Sequence, residues 1–317
     1  MNDLIEWAAR KGYKIGFGNL SVFDGIKSEM MERREAGEIH PAHRYFLTER
    51  PYLDGVTLRN IRSVLVIAVP QPACRVTFHI DGRPLVTRVA PGYLSRNSME
   101  KRLYDELKEL LGGKGHSIEP VTAPMKNLAV RIGLAEYGIN NLTYVPDLGT
   151  YHRLVGFVTD LECPEGLQAA AGHCNVSAVC RDCLICRKAC PTGVLCDHRF
   201  MVDIDRCITS YHYKDGEWPD WLPEDAHNSL YGCMVCQEVC PRNKGLLTYS
   251  EDNAALSFTA EETAFILSDN PQKDSQVWNG IMSKFELMEL PDYDRGPLWQ
   301  LIGRNLRALV NREAAGG

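Results

Sequence analysis

The sequence holds no long apolar run, no excess of basic residues and no internal repeat, and each gap removes a class of protein. No stretch approaches the roughly 18 apolar residues that span a bilayer, so a membrane-crossing helix is not expected. The N-terminus, Met1-Asn2-Asp3-Leu4-Ile5-Glu6-Trp7, lacks a basic segment followed by an apolar one. Arg33-Arg34 runs into Glu35-Ala36-Gly37-Glu38, so neither a secretory leader nor a twin-arginine signal is read. The expectation is a soluble, cytoplasmic protein without a membrane partner. Lys and Arg number 35 against 41 Asp and Glu, a formal net charge of −6. Nucleic-acid binders usually show a basic face, so nucleic acid is not expected as a partner. A phosphate loop, a nucleophilic triad and a G-x-G-x-x-G fingerprint are also missing, which leaves no nicotinamide site on this chain.

What remains is a 317-residue chain of ordinary globular composition, 44% hydrophobic and 24% charged, enough for one large domain or two modest ones. Leu4, Ile5, Ala8 and Ala9 recur at helical spacing within Asp3 to Arg10. Ser63 to Val69 is a continuous apolar, β-branched run closed by Pro70, the pattern of a buried central strand. Asp81-Gly82 between Val76–Ile80 and Pro84–Val89 signals a hairpin. Further helices are read at Phe23 to Ala36, Ser98 to Leu111, Met125 to Leu134, Val277 to Leu287 and Leu298 to Val310. A second hairpin, Thr143 to Val145 with Tyr151 to Asp160, is read around Pro146-Asp147-Leu148-Gly149. Thr259-Ala260-Glu261-Glu262 is a capping box. The fold class is α+β, an α/β layered core followed by a C-terminal ferredoxin-like module. The expected boundaries are a core over 1–160, the cysteine module over 161–250, and C-terminal helices over 251–317 that pack on the core.

The feature that demands an explanation is the cysteine. The chain has 12, and nine fall between Cys180 and Cys240. In a reducing compartment such a cluster points to metal ligation, not to disulfides. Cys180, Cys183, Cys186 and Cys190-Pro191 follow the C-x₂-C-x₂-C-x₃-C-P run of bacterial ferredoxins. Cys233, Cys236 and Cys240-Pro241 repeat its end, with Cys207 upstream as the missing member. Two-residue spacers let consecutive thiolates wrap one cube, and the x₃ step before proline carries the fourth cysteine toward the other cluster. The expected ligation is therefore crossed. Cys180, Cys183, Cys186 and Cys240 hold one [4Fe–4S] cluster; Cys190, Cys207, Cys233 and Cys236 hold the second. Structural zinc also takes four cysteines, but it usually uses two separated pairs. Cys196, Cys74, Cys163 and Cys174 fit neither quartet and read as small buried apolar residues.

These residues resemble a known group. Cys180 to Pro191 continuing into Thr192-Gly193, then Asp205-Arg206-Cys207-Ile208, then Gly232 to Pro241 are similar to the epoxyqueuosine reductases and the related reductive dehalogenases. Upstream, Gly133-Leu134-Ala135-Glu136-Tyr137-Gly138-Ile139-Asn140-Asn141 resembles the superfamily's G-L-G-x-x-G-x-N segment. The resemblance implies a core like flavin-reductase and corrinoid-processing folds, fused to the two-cluster module, with a cobalamin between them. Several positions depart from it. Aligning on Pro124 puts Val121 where a general-acid aspartate is expected, and Ile139 replaces a lysine. Gly92-Tyr93-Leu94-Ser95-Arg96 does not match the D-Y-H segment, and helical repeats suited to tRNA are not seen. The resemblance with these departures implies a divergent paralogue.

The expected function is thus an iron–sulfur oxidoreductase passing electrons through two [4Fe–4S] clusters to a corrinoid (cobalamin) and a small substrate. The alternatives are an electron-transfer or activator protein without cobalamin, serving a redox partner protein, and a tRNA epoxyqueuosine reductase. A ferredoxin- or flavodoxin-type donor is expected to supply the electrons. Tyr137 is the one catalytic candidate, through its phenol proton; Tyr137, Gly138, Asn140 and Asn141 are the candidate cofactor-binding residues. Turn chemistry explains the same asparagines without a ligand. His152 and Arg153 could face a cofactor or simply solvent. The crossed ligation has a direct check. Cys240→Ala should remove iron from the cluster of Cys180, Cys183 and Cys186 and spare the other, while Cys196→Ser leaves iron content at the wild-type value. Iron loss at the Cys233–Cys236 cluster in Cys240→Ala would show the ligation to be uncrossed.

Overall fold

The computed structural model describes residues 2–164, 174–195, 201–250, 256–268, 275–290 and 298–316. Its helices are α1 (Asn2–Arg10), α2 (Ser21–Glu35), α3 (Pro41–Arg44), α4 (Arg96–Gly112), α5 (Met125–Arg131), α6 (Ala178–Cys183), α7 (Ile185–Ala189), α8 (Ile208–Tyr211), α9 (Val235–Glu238), α10 (Ala260–Leu267), α11 (Gln276–Met288) and α12 (Leu298–Gly316). Its strands are β1 (Lys14–Asn19), β2 (Ser63–Pro70), β3 (Cys74–Ile80), β4 (Arg83–Val89), β5 (Ile118–Pro120), β6 (Glu136–Tyr137), β7 (Thr143–Tyr144), β8 (His152–Thr159) and β9 (Ser257–Phe258). Among the described residues no helix is long and apolar enough to cross a membrane. The chain divides into two compact units of interleaved segments. Met1–Pro70, Met99–Leu184 and Leu195–Val202 make the first; Gln71–Ser98, Ile185–Val194 and Asp203–Gly317 make the second.

The first unit is built on an antiparallel sheet of order β1-β2-β8-β5. Alternate residues of a strand face opposite sides, and in β2 both sides are covered. Val64, Val66 and Ala68 pack with Ile26 and Met30 of α2 and Leu128 of α5. Leu65, Ile67 and Val69 pack with Leu4 and Trp7 of α1 and Leu103 and Leu107 of α4. Val64 through Ala68 are wholly inaccessible to solvent, so the uninterrupted apolar run reflects helices on both faces. Each such side chain contributes about 1.5–3 kcal/mol of burial. Gly18 on β1 is dictated by contact: a Cβ there would lie 2.6 Å from Cγ2 of Ile132.

Two expected elements come out differently. β7 does not pair with β8; it turns back onto β6, through Glu136↔Tyr144 and Tyr137↔Thr143. β8 instead lies between β2 and β5. The Pro146–Gly149 turn does form, with Asp147 and Gly149 at positive φ and Val145 bridged to Gly149. β8 runs on from that turn into the sheet, where its backbone groups pair with β2 on one edge and β5 on the other. α5 stops at Arg131, three residues early, where Gly133 at φ +75° closes the helix and its N–H bonds the Val130 carbonyl.

The second unit carries a three-stranded sheet of order β4-β3-β9. Asp81 and Gly82, both at positive φ, make the tight turn between β3 and β4, as a two-residue hairpin requires. β9 joins in parallel through Thr77↔Ser257 and Phe78↔Phe258, and the two phenylalanine rings stack 4.8 Å apart. α10 starts on the expected capping box, Thr259 with Glu262. α10, α11 and α12 supply Ile266, Ile281, Phe285, Ile302 and Leu306 to this core.

Beside α12 the second unit buries an unusual imidazole. His212 is fully inaccessible, and neither ring nitrogen has a hydrogen-bond partner; the Trp218 indole N–H is likewise unpaired. Burial, then His227 and Arg304, pull its pKa from 6.5 down to about 3. Above pH 6.5 His212 is neutral folded or unfolded, so it contributes no pH dependence. As pH falls below 6.5 the unfolded chain takes up a proton that the folded one refuses, and stability drops by up to about 1.4 kcal/mol per pH unit. His212→Phe should therefore flatten the fall in unfolding free energy between pH 6.5 and 5, measured by anaerobic urea unfolding. An unchanged slope would show that His212 is solvated and ordinary.

Candidate metal centre

The cysteines sit on short helices and the turns that end them. Cys180 and Cys183 lie on α6, Cys186 on α7, Cys207 directly before α8, and Cys236 on α9. Leu184, left-handed at φ 50°, turns the chain between Cys183 and Cys186. Within the second unit α7 packs against α9, bringing two sequence-distant cysteine runs side by side.

Five sulfurs, those of Cys186, Cys190, Cys207, Cys233 and Cys236, come within electrostatic reach of one another there. Burial raises the Cys207 thiol pKa, and the neighbouring Cys190 raises it further. Cys233 is pushed up to about 11 by burial, with Cys207 and Cys190 adding to it. Cys236 is raised well above its ordinary value, by burial first and then by Cys233, Cys207, Cys186 and Cys190. Each of these shifts means that a thiolate would stand beside other thiolates in a place poor in water. A bound cation removes both penalties at once.

The spacing of the sulfurs bears on which cation. Among the described residues no three cysteine sulfurs lie within 4.8 Å of one another. Tetrahedral zinc holds its sulfurs under about 4 Å apart, with Zn–S bonds near 2.3 Å, and an iron–sulfur cube holds its thiolates farther apart. One sulfur also receives a hydrogen bond suited to a charged centre: Asn228 Nδ2 donates to Cys233 Sγ at 3.2 Å. Met234 N–H fixes that amide by donating to Asn228 Oδ1 at 3.3 Å. The residues present fit a [4Fe–4S] cluster. Sequence reading missed Asn228, and its only signal would have been a polar residue five positions before Cys233.

The remaining cysteines lie elsewhere. Cys74 is in the second unit's sheet core, its thiol raised to about 11 by burial. Cys163 is half-buried, and Cys174 is buried with its thiol pushed up to about 12, by burial and then by Glu29. Cys196 falls outside the described residues.

The Tyr137–Asn141 segment forms a tight turn between β6 and β7. Gly138 N–H donates to the Leu142 carbonyl at 2.8 Å. Asn140 Nδ2 donates to Tyr144 Oη at 3.1 Å, and Asn140 Oδ1 accepts from Leu142 N–H at 3.2 Å. Asn141, at φ 59°, offers its carbonyl to Lys126 Nζ at 2.7 Å. A Cβ on Gly138 would meet the Tyr144 ring at 2.4 Å and Asn140 Oδ1 at 2.5 Å, so the glycine serves the turn's own packing. The segment's polar groups are engaged within the turn and with Lys126 and Asn127 of α5. Tyr137 is 3% exposed and its hydroxyl donates to Asn127 Oδ1 at 3.3 Å. Burial, then Cys174 and Glu29, push its phenol well up.

Beneath that turn lies an ion network the sequence reading did not contain. The Glu29 carboxylate is fully enclosed and takes Arg33 and Arg131, each at 2.8 Å, together with the Cys174 N–H at 3.1 Å. His152 accepts from Thr143 Oγ1 at Nε2 (3.1 Å) and donates from Nδ1 to the Gly149 carbonyl (3.0 Å). Burial holds it neutral, lowering its pKa to about 4. Arg153 pairs with Glu100 at 3.0 Å. Val121, 7% exposed, packs in the apolar cluster around α2 and α5.

With this geometry in place, similarity to known proteins can be weighed. Residues 179–243 match the 4Fe-4S double cluster binding domain, and curated epoxyqueuosine reductases align along most of the chain. The chain is similar to the epoxyqueuosine reductases. The Bacillus subtilis epoxyqueuosine reductase is 28% identical over 258 residues, 77% of this chain and 63% of that protein. The Leadbetterella byssophila one is 24% identical over 302 residues, 89% of this chain and 91% of that protein. The chain thus spans a little under two-thirds of the Bacillus relative and nearly all of the Leadbetterella one. An epoxyqueuosine reductase solved with an epoxyqueuosine-modified tRNA stem loop shares the fold, with TM-score 0.67 at 21% identity over 98% of this chain and 80% of that one. That structure, of a relative holding tRNA, contradicts the expectation of a chain without a nucleic-acid partner. A net charge of −6 is a sum over the whole surface, and it is blind to basic residues gathered at one place.

Asn228 gives the centre a measurable signature. A hydrogen bond to a cluster sulfur stabilises the reduced, more negative state. Asn228→Ala should therefore shift the midpoint potential of one cluster to more negative values and leave the other in place, in an anaerobic redox titration. An unchanged potential would place the amide away from any cluster ligand.

Proposed function

We propose that the chain is an iron–sulfur reductase of the epoxyqueuosine reductase kind, acting on a modified nucleoside carried by tRNA. The observation that carries this reading is the double-cluster domain at 179–243 within a fold shared with epoxyqueuosine reductases. Removing an epoxide oxygen as water consumes two electrons and two protons. Two [4Fe–4S] clusters, when bound, supply one-electron transfer and together hold the required pair.

The chain's own residues then have distinct tasks. Cys190, Cys207, Cys233 and Cys236 hold one cluster, and their convergence in the second unit supports that assignment. Cys180, Cys183, Cys186 and Cys240 hold the other, an assignment that rests on spacing alone. Asn228 sets the electron affinity of the first through Cys233. Val121 is apolar and buried, so that position contributes no proton.

The test is made in a bacterial strain that lacks epoxyqueuosine reductase and accumulates epoxyqueuosine in its tRNA. Expression of this chain should restore queuosine, detected by mass spectrometry of digested tRNA, and Cys183→Ser should abolish the effect. Unchanged epoxyqueuosine, from a chain shown to carry iron in those cells, would contradict the proposal.

A further inference from the structure

The second unit contains a polar cavity of about 270 Å³ on the side of its β-hairpin, walled by β3, β4, the Asn228 and Tyr249 loops, and the end of α12. Its chemistry is set by three arginines, Arg75, Arg88 and Arg312. Arg75 and Arg88 are directly opposed across the antiparallel pair, an arrangement that costs stability when the charges are alike. The fold keeps them and fixes each guanidinium. Arg75 lies flat on the Tyr249 ring, 3.6 Å from its centroid. Arg88 is gripped by both carboxylate oxygens of Glu238, and Arg312 donates to the His227 carbonyl. Against three positive charges stand the carboxylates of Glu238 and Glu313, leaving a net charge of one. Held guanidinium forks match phosphate geometry, and a guanidinium resting on an aromatic face is preorganised for such a contact. The volume falls below the roughly 300–1,000 Å³ of a drug-sized site, which suits one nucleotide unit and not a macrocycle.

One wall connects this cavity to the redox centre. Asn228, which lines it, is the residue that donates to Cys233 Sγ. We infer that the cavity seats one phosphodiester of the RNA substrate, with Arg75 and Arg312 as its charge partners and Tyr249 as the ring that holds the Arg75 guanidinium in place. The inference rests on the RNA reading above and deepens it, by naming a surface through which the chain holds RNA beside a cluster ligand.

The experiment uses the full chain with clusters reconstituted anaerobically, and a fluorescein-labelled tRNA stem loop followed by anisotropy across a salt series. Wild type should bind. Arg75→Gln/Arg312→Gln should bind at least about tenfold more weakly and lose roughly one to two units of the log–log salt slope. Arg312→Gln alone, near the end of α12, should show a smaller loss in the same direction and guards against misfolding of the double variant. Lys101→Gln/Lys108→Gln on α4, both exposed, should bind as wild type. Wild-type affinity in the double variant would overturn the site and leave the RNA reading standing, whereas a wild type that binds no RNA would remove that reading itself. An equal loss in the lysine variant would mean diffuse surface charge and overturn the site. So would displacement of the RNA by micromolar AMP, which marks a mononucleotide site. A double variant that keeps its RNA affinity but is reduced more slowly by an acidic electron-donor protein would make the cavity a protein-docking site, and the inference would fall.

Discussion

Buried sulfurs cannot crowd together as bare thiolates, and that constraint organises the second unit. Cys207, Cys233 and Cys236 each lose water, and each sits within electrostatic reach of other cysteines, so all three thiol pKa values rise. An arrangement that costs this much without metal is a strong expectation of metal. The packing of α7 on α9, the turn before α8 and the Asn228 amide bring these cysteines together and give one of them a hydrogen bond. Reactive chemistry then depends on what the surrounding side chains do to the electron affinity of that centre.

The first unit meets a different demand. Its sheet is covered on both faces, and the enclosed Glu29, with two arginines and the Cys174 amide, ties α2 and α5 to the chain leading toward α6. A buried carboxylate is tolerable only when such partners surround it. Removing one arginine would leave uncompensated charge, so the network also fixes how α5 lies beneath the Tyr137 turn. That turn is stiff because its amides bond one another.

Much of this was legible in the residues. The two Cys-Pro runs announce a double-cluster module through spacing alone, and the apolar run of β2, the Asp81-Gly82 turn and the Thr259 capping box each encode local geometry in a few adjacent positions. What stayed hidden is long-range. β9 joins β3 across some 180 residues through two residue pairs, too few to leave a pattern. β8 was paired with the wrong neighbour because a turn sequence reports its own closure and not which edge its strand will occupy. Arg75, Arg88 and Arg312 are scattered in the sequence and gather only in three dimensions. The acidic total says nothing of where charges gather, so only the fold shows them side by side.

The central claim is that eight thiolates hold two iron–sulfur cubes, and Mössbauer spectroscopy of the anaerobically isolated, ⁵⁷Fe-labelled protein tests it most directly. Two [4Fe–4S] clusters per chain require quadrupole doublets of delocalised mixed-valence iron that account for about eight iron atoms, matched by an equal quantity of inorganic sulfide. A colourless protein containing zinc, or iron without sulfide, would contradict the claim and remove the basis for a redox function.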